Sequence, residues 1–175
     1  MIGGMRAALL ALAVLSVACA GPRRPAARVQ PSSPLVGKPA DIAGTDLAGL
    51  EVRISDAAGK VRVVDFWATW CEPCVEQLPL LDRLQRELGV SGLAVFAVAV
   101  DEEREAVQAF LARVPVTFPV LFDPSGEAVA QRLEITRLPT TLVLDRMGVV
   151  RDVHMGYAAP DGERLERLVR ELLAE

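Results

Sequence analysis

The most constraining feature of the sequence is an apolar run that leads directly into two cysteines and then into a helical pattern. Val61–Trp67 is mostly apolar and β-branched, as in an interior strand with both faces covered. Cys71-Glu72-Pro73-Cys74 follows. The apolar positions after it recur every three or four residues up to Gly89, at Val75, Leu78, Leu81, Leu84 and Leu88. The order predicts a strand, a turn with two cysteines, and a helix that Pro79 is expected to kink.

Two cysteines at the start of a helix are suited to thiol chemistry. The N–H groups and dipole of a helix N-terminus favour a thiolate, so we expect Cys71 to be the attacking sulfur and Cys74 to be the resolving sulfur. Pro73 fits the first turn of a helix, because a proline there loses no hydrogen bond. Glu72 opposes the helix dipole beside Cys71, which predicts a reducing pair. The alternative is a structural disulfide or a pair of unreactive thiols, which the strand-to-helix context disfavours.

The remaining patterns alternate between strands and helices. They predict a hairpin around residues 50–54, strands at 93–100 and 118–122, a helix near 103–114, a closing hairpin of 141–144 and 149–155, and an amphipathic helix over 162–173. Strands that alternate with helices and end in a hairpin predict an α/β fold with a sheet of mixed direction.

The composition fits one globular domain and disfavours several kinds of site. The 175 residues are 51% hydrophobic and 24% charged. A net charge of −4 provides no cationic surface for nucleic acid. With three Cys and the single His154, the chain has no zinc-ligand spacing, and Val75 stands where a haem-attachment motif needs His. We therefore expect no nucleic acid, no metal and no cofactor.

The N-terminal residues have the pattern of an export signal. An apolar run over residues 7–18 follows Arg6 and is too short to span a membrane. Val17-Ala18-Cys19 resembles a bacterial lipobox and favours lipid attachment at Cys19, whereas Ala18-Cys19-Ala20 also suits ordinary signal peptidase. The sequence predicts a signal peptide over 1–19, a Pro/Arg-rich tether over 20–34 and a domain over 35–175.

The segment around the cysteines resembles the active-site segment of thioredoxins. Residues 64–74 (VDFWATWCEPC) carry the resemblance, Pro79 matches the proline of the family's active-site helix, and residues 138–141 (LPTT) resemble its cis-proline loop. The C-E-P-C form, the leader and a strand-helix insertion around 93–114 are closer to the TlpA/ResA/CcmG branch of extracytoplasmic thiol-disulfide oxidoreductases, several of which serve cytochrome c maturation. The resemblance implies a thioredoxin fold, with a central mixed β-sheet flanked by helices, an N-terminal β-hairpin and the insertion.

The resemblance also implies roles for two acids. Asp65 is similar to the buried acid that accepts the proton of Cys74, and burial is expected to raise its pKa; an Asp that reaches solvent on an edge strand is the alternative. Glu102 aligns best with an active-site glutamate, with Asp101 as the second choice, because both follow a buried strand at its carboxyl end. A solvated cluster of charges is the other interpretation.

The same resemblance implies a substrate-binding set. Pro139 is expected to follow a cis peptide bond, with a trans proline in an ordinary loop as the alternative, and Leu138 is expected to offer free backbone groups to a substrate strand. Thr140 and Trp70 complete the set. Trp67 is expected in the core, and His154 on the hairpin surface.

The implied function is that of a reductase of protein disulfides, with apocytochrome c as a candidate client. The protein would lie outside the cytoplasm, in the periplasm or on the outer face of the cell membrane, held by a lipid anchor. Because that compartment is oxidising, a membrane electron donor of the CcdA/DsbD kind would keep the cysteines reduced. The alternatives are a thiol peroxidase of the peroxiredoxin-related class, whose Thr-x-x-Cys pocket is missing here, and a lipoprotein binding module with the cysteines as a staple.

Overall fold

Seven strands and three helices make up the described part of the chain, residues 33–175 of a computed structural model. The predicted signal peptide, Cys19 and all but the last two residues of the predicted tether lie outside the described residues. The strands are β1 (Ala43–Asp46), β2 (Glu51–Arg53), β3 (Val61–Trp67), β4 (Leu93–Ala99), β5 (Val120–Phe122), β6 (Thr140–Leu144) and β7 (Val150–Met155). The helices are α1 (Glu72–Leu88), α2 (Arg104–Leu111) and α3 (Ala159–Ala174).

The strands form one mixed sheet in the order β2-β1-β5-β4-β3-β6-β7. The β3–β4 and β4–β5 pairs are parallel, and all the other pairs are antiparallel. The predicted α/β fold, with its mixed sheet and its two hairpins, is confirmed. Because β3 lies between β4 and β6, the edge-strand alternative for Asp65 is excluded.

Four connections meet at one edge of the sheet. Parallel strands β3, β4 and β5 all end there, and the antiparallel β6 begins there, with Thr140 paired to Phe66 near the end of β3. The connection after β4 is fixed to the end of β3 because the Val100 N–H donates to the Trp67 carbonyl at 3.0 Å. The topology therefore gathers the cysteine turn, the acids after β4, the segment after β5 and the proline loop before β6.

The two faces of the sheet are covered differently. All three helices contribute to the cluster on one face, where Trp67 packs against Phe110 of α2 with ring centroids 5.4 Å apart. The opposite face is covered by Ile42, Ile54 and the residues around Val129, which follow β5. Both faces of β3 are consequently buried along its full length, as its apolar sequence predicts.

Arg62 and Asp65 are the two charged residues of β3, and Arg62 lies near its start. The buried guanidinium of Arg62 donates to the backbone carbonyls of Ile54, Asp145 and Arg146 at 3.1 to 3.5 Å. Gly148 lies against it with φ +87°, and an added Cβ would come within 3.1 Å of the guanidinium nitrogen. Two of the three carbonyls belong to the turn between β6 and β7, at the end of the sheet away from the cysteines, and Nε has no partner in the described part of the chain.

The boundaries of several elements differ from the sequence-based expectation. α2 ends at Leu111 rather than near 114, since Pro115 disfavours a helical conformation at the residue before it. The strand predicted over 118–122 is ordered as β5 only from Val120, after Pro119, which has no N–H to donate. α1 runs on through Pro79, which is exposed. No helix among residues 33–175 is long and apolar enough to cross a membrane.

The expected position of His154 on the hairpin surface is wrong. His154 is paired with Thr141 in the sheet and is only 8% exposed, with Nε2 at 3.2 Å from Asp152 Oδ2. Burial lowers the pKa of His154, an effect that the Asp152 carboxylate opposes. The side chain is covered because α3 brings Asp161 and Arg164 over this end of β7.

Candidate active site

Cys71 lies at the N-terminus of α1 and is bonded to Cys74. The S–S distance is 1.99 Å and the Cα atoms are 5.2 Å apart. The Cys71 carbonyl accepts hydrogen bonds from the N–H groups of Cys74 and Val75 at 3.0 and 3.1 Å, and Pro73 occupies the first turn. Cys71 is 7% exposed and Cys74 is completely buried. This difference favours Cys71 as the sulfur that a partner can reach.

Asp65 lies in the middle of β3 with a fully buried carboxyl group. Thr141 on the neighbouring strand donates its hydroxyl to Asp65 Oδ1 at 2.8 Å, and Oδ2 has no partner in the described part of the chain. Burial raises the pKa of Asp65 from 3.8 to about 7, although the Thr141 hydrogen bond opposes the rise. The carboxyl can therefore gain or lose a proton near neutral pH.

Gln77 connects the cysteine helix to this carboxyl, and the sequence analysis did not single it out. It is one helical turn beyond Cys74 and is buried. Its Nε2 donates to the Thr141 hydroxyl at 2.8 Å and lies 3.5 Å from Asp65 Oδ1. The signal in the sequence is a polar residue inside the apolar stripe of α1, three residues after Cys74 and four residues before Leu81. Asp65, Gln77 and Thr141 form a buried polar cluster, which Gln77 links to the helix that begins at the cysteines.

Asp101, rather than Glu102, is bonded to the turn that carries the cysteines. The Asp101 carboxylate is buried and accepts hydrogen bonds from the backbone N–H of Thr69, at 3.1 Å, and from the Thr69 hydroxyl. Glu102 is exposed and lines a depression beside Trp70. The geometry gives Asp101 a positional link to Cys71, two residues beyond Thr69, whereas a catalytic role of Glu102 stays a prediction.

The peptide bond between Leu138 and Pro139 is cis, which confirms the prediction. Pro139 is buried next to the start of β6, and the Thr140 hydroxyl donates to the Arg137 carbonyl at 2.7 Å. Within residues 33–175, the N–H and C=O of Leu138 have no hydrogen-bond partner. Thr140 therefore stabilises the loop, whereas Leu138 presents free backbone groups.

A groove of about 960 Å³ opens beside the disulfide. Trp70, Cys71, Pro73 and Leu138 line it. Most of the other lining residues lie between Ser125 and Arg137, and residues 124–137 are here called the wall segment. Trp70 is 71% exposed, so its ring stands at the edge of the groove. Of the predicted substrate-binding set, Trp70 and Leu138 line this groove together with Cys71, whereas Pro139 and Thr140 do not line it.

A buried carboxylate, that of Asp123, holds the first part of the wall segment. Asp123 Oδ1 accepts the N–H of Ala128, and Oδ2 accepts the N–H groups of Val129 and Ala130, all at 2.9 Å. No role was predicted for these residues from the sequence. The residues Asp123-Pro124-Ser125-Gly126 are a combination typical of a turn with an Asp cap, which would have indicated this contact.

Across residues 33–175, no group of three or more His, Cys, Asp or Glu residues could hold a metal ion.

Comparison with known proteins places this site in a known class. The Redoxin family matches residues 32–169. The thioredoxin-like protein YneN of Bacillus subtilis is 37% identical over 113 residues, which are 63% of this chain and 65% of YneN. The thiol-disulfide oxidoreductase ResA of Geobacillus kaustophilus is 36% identical over 116 residues, which are 66% of each protein. The chain thus spans just under two thirds of the length of these curated relatives.

Solved structures show the same similarity. A protein from Chlorobium tepidum described as a thiol:disulfide interchange protein DsbE superposes with a TM-score of 0.74 at 33% identity, over 79% of this chain and 96% of that one. The pneumococcal exposed lipoprotein thioredoxin Etrx1 of Streptococcus pneumoniae superposes with a TM-score of 0.63 at 27% identity, over 76% of this chain and 100% of that one. With its cysteine pair, cis-proline loop and mixed sheet, the chain belongs to the Redoxin family and is a ResA-like member of it.

Proposed function

We propose that this protein is a thiol-disulfide oxidoreductase that reduces disulfides in other proteins through Cys71 and Cys74. The observation that carries the proposal is the Cys71–Cys74 disulfide at a helix N-terminus, with Cys71 open to a groove that the cis-proline loop and the wall segment border. A structural disulfide needs no such groove. The ResA-like family membership supports the same activity.

The reaction begins from the reduced protein. The Cys71 thiolate attacks one sulfur of a client disulfide, the client S–S bond breaks, and the other client sulfur leaves as a thiolate that takes up a proton. Cys74 then loses its proton and attacks the Cys71 sulfur of the mixed disulfide. The remaining client sulfur leaves and is protonated, and the Cys71–Cys74 bond forms. Two electrons pass from the protein dithiol to the client.

The second step requires a base near Cys74, because a buried thiol is a poor nucleophile. Asp65 is suited to this task, since its pKa is raised by burial to about 7 and its Oδ2 has no competing partner in the described part of the chain. Gln77, on the same face of α1 as Cys74, extends its amide to within 3.5 Å of Asp65 Oδ1. We propose that Asp65 accepts the proton of Cys74 in this step.

Client binding uses the loop before β6. An extended client segment can pair with the free N–H and C=O of Leu138, as a strand added to an open backbone edge. This pairing aligns the client cysteine with Cys71 across the same groove. Trp70 covers the segment from the side of the cysteine turn.

The protein is proposed to work outside the cytoplasm, attached by a lipid at Cys19. The support is the apolar run and lipobox-like pattern over residues 1–19, together with the similarity to a structure described as an exposed lipoprotein. The oxidising compartment would require a membrane electron donor of the CcdA/DsbD kind to regenerate the dithiol. Apocytochrome c is the proposed client, on the resemblance to the TlpA/ResA/CcmG branch.

Reduction of a model protein disulfide tests the proposed activity. The full chain, reduced beforehand, is expected to reduce insulin, and equilibration with glutathione is expected to give a potential nearer about −250 mV than about −120 mV. Cys71→Ser is the matched negative control, and Cys19→Ala separately tests membrane attachment by fractionation. Failure to reduce insulin or a peptide disulfide would assign the cysteine pair to a structural role. A potential near the oxidising value would instead make the protein an oxidase or isomerase.

A further inference from the structure

We propose that the groove beside Cys71 selects client segments that carry lysine or arginine next to the reacting cysteine. The inference rests on the proposed oxidoreductase function and specifies its substrate class. It follows from the charges around the groove, from the shape of the groove, and from the exposed tryptophan at its edge.

The carboxylates around the cysteines outnumber the cations. The groove adjoins a second depression of about 650 Å³, with which it shares Trp70, Val100 and Ser125. The exposed carboxylates that line the two are Glu72, Glu102, Glu103, Glu127 and Glu134. Arg137 is the one cationic residue that lines either depression in the described part of the chain. A client segment there meets a field that is predominantly negative.

These carboxylates are not neutralised within the domain. Across residues 33–175, none of the five carboxylates forms an ion pair within 4 Å. On the helices away from the groove the arrangement is different, since Glu166 on α3 is paired with both Arg83 and Arg170. The groove therefore keeps its negative charge available to a partner, and a cationic partner is electrostatically complementary to it.

The apolar lining of the groove suits the stem of a lysine or arginine side chain, just as its negative charge suits the cationic end. Val100, Ala130, Ile135 and Leu138 supply an apolar lining against which the methylene stem of such a side chain can pack. Trp70, 71% exposed, stands where the two depressions join and offers an aromatic face to a cation. A client segment paired with Leu138 can place basic residues on either side of its cysteine against the acidic rim.

A set of peptides with the same internal disulfide and different flanking residues tests the inference. The flanks are lysine, glutamine or glutamate, and the second-order rate constant is measured with the full chain, reduced beforehand. We expect the lysine peptide to react about 10-fold faster than the glutamate peptide at low salt, and the ratio to fall to about 2-fold at about 0.5 M salt.

Variants of the wall segment separate binding from thiol chemistry. Glu127→Gln combined with Glu134→Gln changes two groove charges without altering Glu72 beside Cys71, and it is expected to lower the lysine-to-glutamate rate ratio about 3-fold. Each rate is referred to that of an uncharged small disulfide with the same variant. Glu171→Gln, at an exposed position of α3 that lines neither depression, is the matched control and is expected to leave the ratio unchanged.

The outcomes distinguish the two proposals. If all three peptides react at the same rate, or if Glu171→Gln changes the ratio as much as the wall variant, the charge selection is refuted while the oxidoreductase function stands. If no peptide is reduced, the proposed function itself is refuted. Replacing Arg23, Arg24 and Arg28 with Gln tests whether the chain's own arginines bind in the groove. If this replacement speeds the reaction of every peptide equally and the flanking residues have no effect, those arginines are the ligand and the client proposal is wrong.

Discussion

Replacing Asp65 with asparagine is expected to stabilise the oxidised protein at neutral pH and to have little effect at pH 4. The side chain is fully buried, and burial raises its pKa from 3.8 to about 7. Between these values the unfolded chain has an ionised Asp65, whereas the folded protein retains the proton. The folded state therefore binds more protons, and the free energy of unfolding falls as the pH rises.

The expected size of the effect follows from the interval between the pKa of Asp65 in the unfolded chain and its pKa in the folded protein. At about 1.4 kcal/mol for each pH unit, the difference between 3.8 and about 7 corresponds to about 4 kcal/mol. The loss begins above pH 4 and is complete above pH 7, where both states are ionised. Asparagine does not ionise and can still accept the Thr141 hydrogen bond through its Oδ1, so the variant avoids this loss.

Urea denaturation of the oxidised wild type and of Asp65→Asn at pH 4, 6 and 8 measures the difference. We expect the two proteins to agree within about 1 kcal/mol at pH 4, and the variant to be more stable by about 4 kcal/mol at pH 8. Asp56→Asn, at an exposed position without a side-chain hydrogen bond in the described residues, controls for the substitution itself. A difference that is the same at all three pH values, or a variant that is less stable at pH 8, would refute the reasoning.

Four further predictions concern the chemistry and the groove. Cys71→Ser is expected to abolish exchange, while Cys74→Ser accumulates mixed disulfides on non-reducing gels; capture of clients by Cys71→Ser would reverse the assignment. Asp65→Asn is expected to slow turnover by roughly 10- to 1000-fold in a stopped-flow assay of insulin reduction, and equal rates for the two proteins between pH 6 and 8 would remove Asp65 from the mechanism. Glu72→His is expected to raise the reduction potential measured against glutathione, because it replaces a negative charge beside the Cys71 thiolate; a more reducing variant would contradict the electrostatic argument. Asp123→Ala leaves three N–H groups without their acceptor and is expected to cost about 3 kcal/mol in urea denaturation, so an unchanged midpoint would mean that other groups hold the wall segment.

The part of the fold that was predictable is the part with strong periodic patterns. The fully buried β3, the apolar stripe of α1 and the closing hairpin follow directly from residue spacing, and the structure has all three. The cis bond before Pro139 was implied by the resemblance of residues 138–141 to a known loop. Short elements with prolines beside them, such as β5, were misplaced by one or two residues because the pattern continues past the point where hydrogen bonding stops.

The features that sequence reasoning missed depend on contacts between distant segments. Gln77 meets Thr141 across 64 positions of the chain, and Asp101 meets Thr69 across 32. His154 was expected on the hairpin surface, yet it is buried, with Asp161 and Arg164 of α3 close to it. Such contacts are set by how helices pack over the sheet, which periodicity alone does not determine.

Asp123 anchors the wall segment through the segment's own backbone, and that segment makes no hydrogen bond to the turn carrying Cys71 within the described residues. The wall segment, which contributes to the proposed client groove, and the cysteine turn are thus fastened independently to the sheet. A lineage could replace residues 127–137 and acquire different clients while its redox centre remained intact. The same independence makes the segment a natural unit for transplantation between related scaffolds, with Asp123 as the fixed point of attachment.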